Sequence, residues 1–385
     1  MKKRSICCLF LIIVAVFLCI SCGKTKTVRA DELSDSVTDQ INDLDLEEIE
    51  NFFNDEKNED FDFLNTFKNI LEGKYDKADN LFEYIKNIIF AKTSYLLPVI
   101  IAVIVACLLC SIIQNLKSTY LSDSVTHIIK YVTVLVVIVL IFPHFMSVWN
   151  KTKNIIENIG KFSEIMSPII LTLMVASGGT VAATVYKPSV LFFSNIVIGL
   201  FYAVVLPLVG IYTTFSVAEH FSKEIKLKKF TEFFSGLLKW IFGITIVFYG
   251  LIISVQGLSV AGTEGISVKV AKYAISNSIP IVGGLIKDGL DIVTAGSVIV
   301  KNALGIAGVI GIFYYILSPI LEMVVFSTLL KLAAAITDIF SVDTVSDFLT
   351  TLSKSINYFI ASVLTVGLMA FLTVLLMIFS ANSIL

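Results

Sequence analysis

Arginine is almost missing from this chain: its 385 residues contain two, Arg4 and Arg29. Charge of any sign is scarce, with 16% Asp, Glu, Lys and Arg against the roughly 25% of a soluble domain. So few charges cannot clothe a water-facing surface of this size, which disfavours a cytosolic enzyme, a disordered scaffold and a nucleic-acid-binding module. Histidine is limited to His127, His144 and His220, scattered and without His-Glu-x-x-His spacing. There is no G-x-x-x-x-G-K-[ST] phosphate loop, dinucleotide fingerprint or G-x-S-x-G nucleophile turn. Four of the six cysteines (Cys7, Cys8, Cys19, Cys22) lie in the first thirty residues. Cys107 and Cys110 form a C-x-x-C inside an apolar stretch, where small apolar packing outweighs a redox pair. No catalytic residue, cofactor or metal site is expected.

What is abundant is apolar: 56% hydrophobic residues and a mean hydropathy of +0.87. The length alone would suit two or three domains, but the hydropathy reads as one polytopic membrane protein. The net charge of −2 conceals an asymmetry. Residues 31–92 carry 18 of the 31 acidic residues against six lysines, a net of −12, whereas residues 93–385 carry a net of +4. Three segments follow: 1–30, 31–92 and 93–385.

The first has the parts of an export signal. Lys2, Lys3 and Arg4 precede an apolar run from Ile6 to Ile20, and Val28-Arg29-Ala30 fits cleavage after Ala30. An uncleaved anchor or lipid attachment at Cys22 are the alternatives, and all three put residue 31 outside the cytoplasm. Residues 31–92 alternate acidic and apolar positions at helical spacing, as in Leu33, Val37, Ile41, Leu44, Ile49 and Phe52, then Leu64, Phe67, Ile70 and Leu71. Two or three amphipathic helices are expected there, serving either as a docking surface or as helices lying on their own membrane domain. The acidic run Asp55 to Asp62 lacks the glycine of a calcium loop and reads as solvated charge.

From residue 93 onward seven stretches are long enough to cross a bilayer: 95–113, 131–149, 165–186, 190–218, 240–262, 302–321 and 356–380. Tyr95, Tyr131, Trp149, Trp240 and Tyr358 stand near their ends as interface anchors. The fold class is therefore all-α and polytopic, with about seven transmembrane helices plus amphipathic or re-entrant segments. Lysine counts do not choose between seven crossings and a re-entrant hairpin near Ser177-Gly178-Gly179-Thr180. Phe221 to Leu238 carries one apolar stripe with Lys223, Lys226, Lys228 and Lys229 mostly off it, as in an interfacial helix on anionic lipid. In 263–301 an apolar run is interrupted by Pro280, Gly283, Gly284 and Gly289 and followed by Lys287, Asp288 and Asp291. Broken backbone at membrane depth lines a cavity or is buried in protein, so Pro280, Gly283, Gly284, Lys287, Asp288 and Asp291 are candidates for a pore-lining or re-entrant element. An amphipathic loop lying flat is the alternative.

Glu322 is the candidate intramembrane charge, following a charge-free run and preceding Met323–Leu330; it either faces a polar cavity or marks a span's end. Gly305, Gly308 and Gly311 provide small residues for close helix contact. Ile165-Met-Ser-Pro-Ile-Ile-Leu weakly echoes Ile316-Leu-Ser-Pro-Ile-Leu-Glu, as in inverted repeats.

The run from Lys272 through Ser276-Asn-Ser-Ile-Pro-Ile-Val-Gly-Gly284 to Asp291, followed by Lys301-Asn-Ala-Leu-Gly305, resembles the signature region of the stage III sporulation protein AE family. The resemblance extends to the order of signal, acidic segment and polytopic body. It implies an integral-membrane component of the stage III A complex, a conduit or secretion-like channel between mother cell and forespore needed for late forespore development. The implied location is the mother-cell-derived membrane around the forespore, with the acidic segment facing the intermembrane space. Implied partners are the other stage III A-operon proteins and forespore protein Q, in addition to lipid; self-association stays open and no nucleic acid is involved. The ATPase of such a complex is a separate subunit, and no family residue with an enzymatic role can be carried over. A stand-alone permease and a structural anchor are the competing readings.

Overall fold

The computed structural model describes residues 46–55, 61–73, 81–115, 123–221, 227–261 and 282–380. The signal region, residues 31–45 and Pro280 lie outside them. Almost every described residue is helical, and no strand occurs among them. Two short helices, α1 (Glu47–Asp55) and α2 (Phe63–Leu71), precede α3 (Leu81–Asn115) and α4 (Asp123–Ala176). The chain then runs through α5 (Thr180–Leu191), α6 (Ile198–Leu200) and α7 (Leu206–Phe221), with π-helical turns at Phe192–Val197 and Phe201–Val205. The bundle ends with α8 (Lys228–Ala261), α9 (Val282–Ile339) and α10 (Asp343–Phe379). The π turns fall between Pro188 and Pro207. Pro207 has no N–H for the Ala203 carbonyl, which lies within the second π turn, where a later donor serves it.

Among the described residues six helical stretches are long and apolar enough to cross a membrane: Leu81–Ile113, Tyr131–Ala176, Thr180–Glu219, Lys228–Gln256, Ile292–Ile339 and Asp343–Phe379. The expected spans 131–149 and 165–186 are not separated by a loop. Residues 150–164 continue α4 as helix because their charges, Lys151, Lys153, Glu157, Lys161 and Glu164, fall at spacings that leave Ile155, Ile156, Ile159 and Phe162 buried. The chain instead reverses at Ser177-Gly178-Gly179, where Gly178 has φ 87°, a conformation glycine adopts without strain. Of 219–239, residues 219–221 end α7 and 228–239 begin α8, and Phe215 stacks on Phe230 and Phe234 across the two helices.

Contacts fix the directions. Asn158 donates to the Tyr315 hydroxyl at 2.9 Å, and Thr152 lies on Met323, so α4 and α9 run antiparallel. Ser327 meets Ser353 at 2.9 Å while Gly367 faces Ile316, so α9 and α10 are also antiparallel. The two segments carrying the Ser-Pro echo therefore do run in opposite directions. Thr213 with Ser355 sets α7 antiparallel to α10, and Ser235 with Tyr358 and Tyr249 with the Met369 carbonyl set α8 parallel to it. An up-and-down order results, with the end of α10 at the same end of the bundle as α1 and α2.

The three small residues of α9 serve three different neighbours. A Cβ on Gly305 would strike Ile378 of α10, one on Gly308 would meet Met166 and Phe162 of α4, and one on Gly311 would lie 2.9 Å from Phe53 Cε1 of α1. Successive steps of three residues turn about the helix axis, which explains the sharing. Phe53 is the anchor of the N-terminal helices. It is buried against Phe61, Phe63 and Phe162, while Phe61 stacks on Tyr314 at 5.7 Å. Asp62 caps α2 by accepting from the Asn65 N–H at 2.8 Å. The helices of 46–73 thus lie on α4 and α9 with Glu47, Glu48 and Lys68 outward. Phe53→Ala should cost about 3 kcal/mol and unseat α1. Limited proteolysis of the purified full-length protein should then cut within 46–73 while the six long helices stay resistant.

Candidate functional site

Two helices change character at the same place. Lys92 ends the amphipathic start of α3 and opens its charge-free stretch, and Lys151 closes the charge-free stretch 131–150 of α4. Because α3 and α4 are antiparallel, with Tyr95 against His144 at 5.7 Å, these two boundaries meet. α9 inserts Glu322 between them. Lys92 Nζ lies 2.9 Å from Glu322 Oε2, and Lys151 Nζ pairs with Oε1. The glutamate side chain is 10% exposed and the lysines 33% and 42%. A carboxylate buried to this degree is costly unless paired, and here both oxygens are engaged by cations whose stems snorkel from the protein surface.

The three charges border a cavity of about 300 Å³ with Ala91, Tyr95, Leu96, His144, Ser147, Val148 and Phe326. Its axial level is rich in interfacial residue types. Trp149 packs edge-on against Phe359 and on Gly210, next to Tyr358. On the far side of the bundle a second polar cavity, about 470 Å³, is bordered by Tyr212, Glu232, Ser235, Lys239, Lys354 and Tyr358. Lysines and aromatics therefore gather at one level around the molecule, as side chains do at a membrane–water boundary.

The remaining candidate residues lie elsewhere. Gly283, Gly284, Lys287, Asp288 and Asp291 occupy the first turns of α9, and helix rise separates Asp291 from Glu322 by about 45 Å. The fold does not bring the two groups together. Lys92 and Lys151 were not foreseen as partners of Glu322, although each stands at the edge of a charge-free run, and that position is the available signal. Lys301 was also missed. It is fully buried and donates to the Ser380 carbonyl at the C-terminal end of α10, where the helix dipole favours a cation. Cys107 and Cys110 are both buried and are not joined in a disulfide. Among the described residues no group of three or more His, Cys, Asp or Glu side chains could hold a metal.

The family model described as stage III sporulation protein AE matches residues 61–381, a range spanning the site, the signature run and all six long helices. The chain belongs to the stage III sporulation protein AE family. A curated protein of that name from Bacillus subtilis is 28% identical over 321 residues, covering 83% of this chain and 79% of the relative. No solved structure matches the chain. Family membership supports a role in sporulation, and the six apolar helices make the protein membrane-embedded.

The pairing makes the two sides of the ion bridge unequal. Replacing either lysine alone by Gln should cost about 1 kcal/mol or less, since each is solvent-screened and Glu322 keeps one partner. Replacing both should cost about 3 kcal/mol or more by stranding a buried carboxylate. Adding Glu322→Gln to that double variant should recover most of the loss, as read by thermal unfolding in detergent.

Proposed function

We propose that the protein is an integral-membrane component of the stage III A assembly, acting with other subunits in a conduit between mother cell and forespore. The observation that favours this reading is a two-sided surface at one axial level. The second half of α4 exposes Asn154, Glu157, Lys161 and Glu164, beside α1 with its acidic outer face and α2 with Asn65 and Lys68 outward. At that same level, fixed by Ile198 against Gly160 and by Lys153 over the Tyr202 ring, α6 and the neighbouring turns meet α4. Phe201 on Phe242 and Phe193 on Tyr249 carry the level across to α8. There the exposed residues are Ile244, Val247, Phe248 and Leu251. One flank thus suits lipid and the other suits water.

A subunit bordering an aqueous path needs such a division, whereas a helix surrounded by lipid is apolar all round. A structural anchor needs no polar flank opposite an apolar one at the same level. A stand-alone permease places paired ionisable groups around a central path, and the charged triad here sits at the α3–α4–α9 surface instead. In this reading the forespore-facing parts are the acidic segment, α1 and α2, and they meet the partner proteins in the intermembrane space. The end of α10 shares that side. The connections after α3, α7 and α9 face the mother-cell cytoplasm, with Lys228 and Lys229 among them.

A deletion strain should complete engulfment and then fail in later forespore gene expression; normal sporulation would remove the proposal. Single cysteines at the exposed positions Glu48 and Phe379 should react with an impermeant thiol reagent from the extracytoplasmic side, and ones at Lys228 and Asp343 only after permeabilisation. The reverse pattern would overturn the orientation. Purified protein that moves substrate across vesicles by itself would favour the permease.

A further inference from the structure

We propose that the Lys92–Glu322–Lys151 cavity binds a phosphate-type oxyanion, and that its source is the headgroup of an anionic phospholipid. The first argument is donor count. An ammonium offers three N–H donors and each lysine spends one on Glu322, so four remain around a site of net charge +1. Tyr95, Ser147 and His144 border the same space and add hydroxyl and ring-nitrogen donors. Glu322 occupies one face of each ammonium and holds both in place, so an entering oxyanion meets cations already positioned and does not bear the ordering cost.

The second argument is location. Above the cavity α3 and α4 present a continuous aliphatic surface, with Ile101, Val105, Leu109 and, across the hairpin, Leu135, Val139 and Phe142 all exposed. That surface ends at Tyr95 and Lys92 on one helix and at Trp149 and Lys151 on the other. A phospholipid lying along it would place its acyl chains on the aliphatic face and its phosphate at the lysines. The volume of about 300 Å³ is at the small end of ligand sites, enough for a headgroup and not for a whole lipid. The net positive charge selects an anionic headgroup over a zwitterionic one. Lipid binding here stands apart from the conduit reading, because it concerns the aliphatic flank of α3 and α4 and needs no other subunit.

The experiment uses the full-length protein in neutral detergent, titrated with dioctanoyl phosphatidylglycerol, dioctanoyl phosphatidylcholine or inorganic phosphate, with the melting temperature as readout. Phosphatidylglycerol should raise the melting temperature and phosphatidylcholine should not. The triple variant Lys92→Gln, Lys151→Gln, Glu322→Gln leaves no stranded charge and should bind phosphatidylglycerol at least about tenfold more weakly. A shift reproduced by inorganic phosphate and lost in the triple variant supports the oxyanion site with free phosphate as its source. Equal shifts from the two lipids, or an undiminished phosphatidylglycerol shift in the triple variant, would overturn it.

Discussion

At Gly305 and Gly367 the antiparallel helices α9 and α10 approach until an added methyl would strike Ile378 or Ile316. In apolar surroundings helices gain little from hydrophobic exclusion and hold together by packing and interhelical hydrogen bonds. Close approach is therefore the means by which this pair becomes a fixed frame. Ser327, Ser353 and Asn357 add hydrogen bonds across it at 2.9 and 3.1 Å. The other long helices take their places from this frame. α7 reaches α10 through Thr213 and Ser355, α8 through Tyr249 and the Met369 carbonyl, and α4 reaches α9 through Asn158 and Tyr315. Each of these contacts uses a side-chain hydroxyl or amide in place of a charge.

That economy explains where the few charges stand. Among the described residues the ionised groups stand at helix boundaries and on outward faces, or, at Glu322, Lys301 and Lys153, beside partners within the bundle. Glu322 has two lysines, Lys301 has the Ser380 carbonyl, and Lys153 lies 5.0 Å from the Tyr202 ring. A cation over an aromatic face or at a helix C-terminus is held by fixed partial charges, so neither arrangement demands a carboxylate. Glu322 is different because an anion has no such alternatives on the facing helices, and two lysines supply the match.

Much of this architecture was legible in the sequence, and the reasons differ from element to element. Helices, spans and interface aromatics follow from hydropathy, because each is a property of one segment. The amphipathic pattern of 46–73 was legible too, but the partner of Phe53 was not, since Gly311 lies some 250 residues away along the chain. The continuity of α4 through 150–164 was hidden by charge. Five ionisable residues in fifteen look like a loop until their helical phase is seen to leave Ile155, Ile156, Ile159 and Phe162 inside. Glu322 was visible as an anomaly in an apolar run, whereas its partners were visible only as the ends of two other runs. Their convergence is a fact of antiparallel packing, which no single segment encodes.

The length of α4 and α9 sharpens what the molecule must be. Helices of 54 and 58 residues extend about 80 to 85 Å at their usual rise, against a hydrocarbon core of about 30 Å. Their apolar surfaces are not one continuous belt. On α3 and the first half of α4 the exposed aliphatics lie to one side of the Lys92–Glu322–Lys151 level, and on the π turns flanking α6 (Ile196, Val204) and on α8 they lie to the other. A single flat bilayer cannot cover both half-belts of an upright, isolated bundle. Tilting, or covering one half-belt with neighbouring subunits, resolves the mismatch, and both remedies are cheaper in an assembly than alone. The polar stripe on α4 then has a natural place on the side turned from lipid. Staggered surfaces, a two-sided flank and charges gathered at one level together favour the proposed reading of a protein that works inside an assembly.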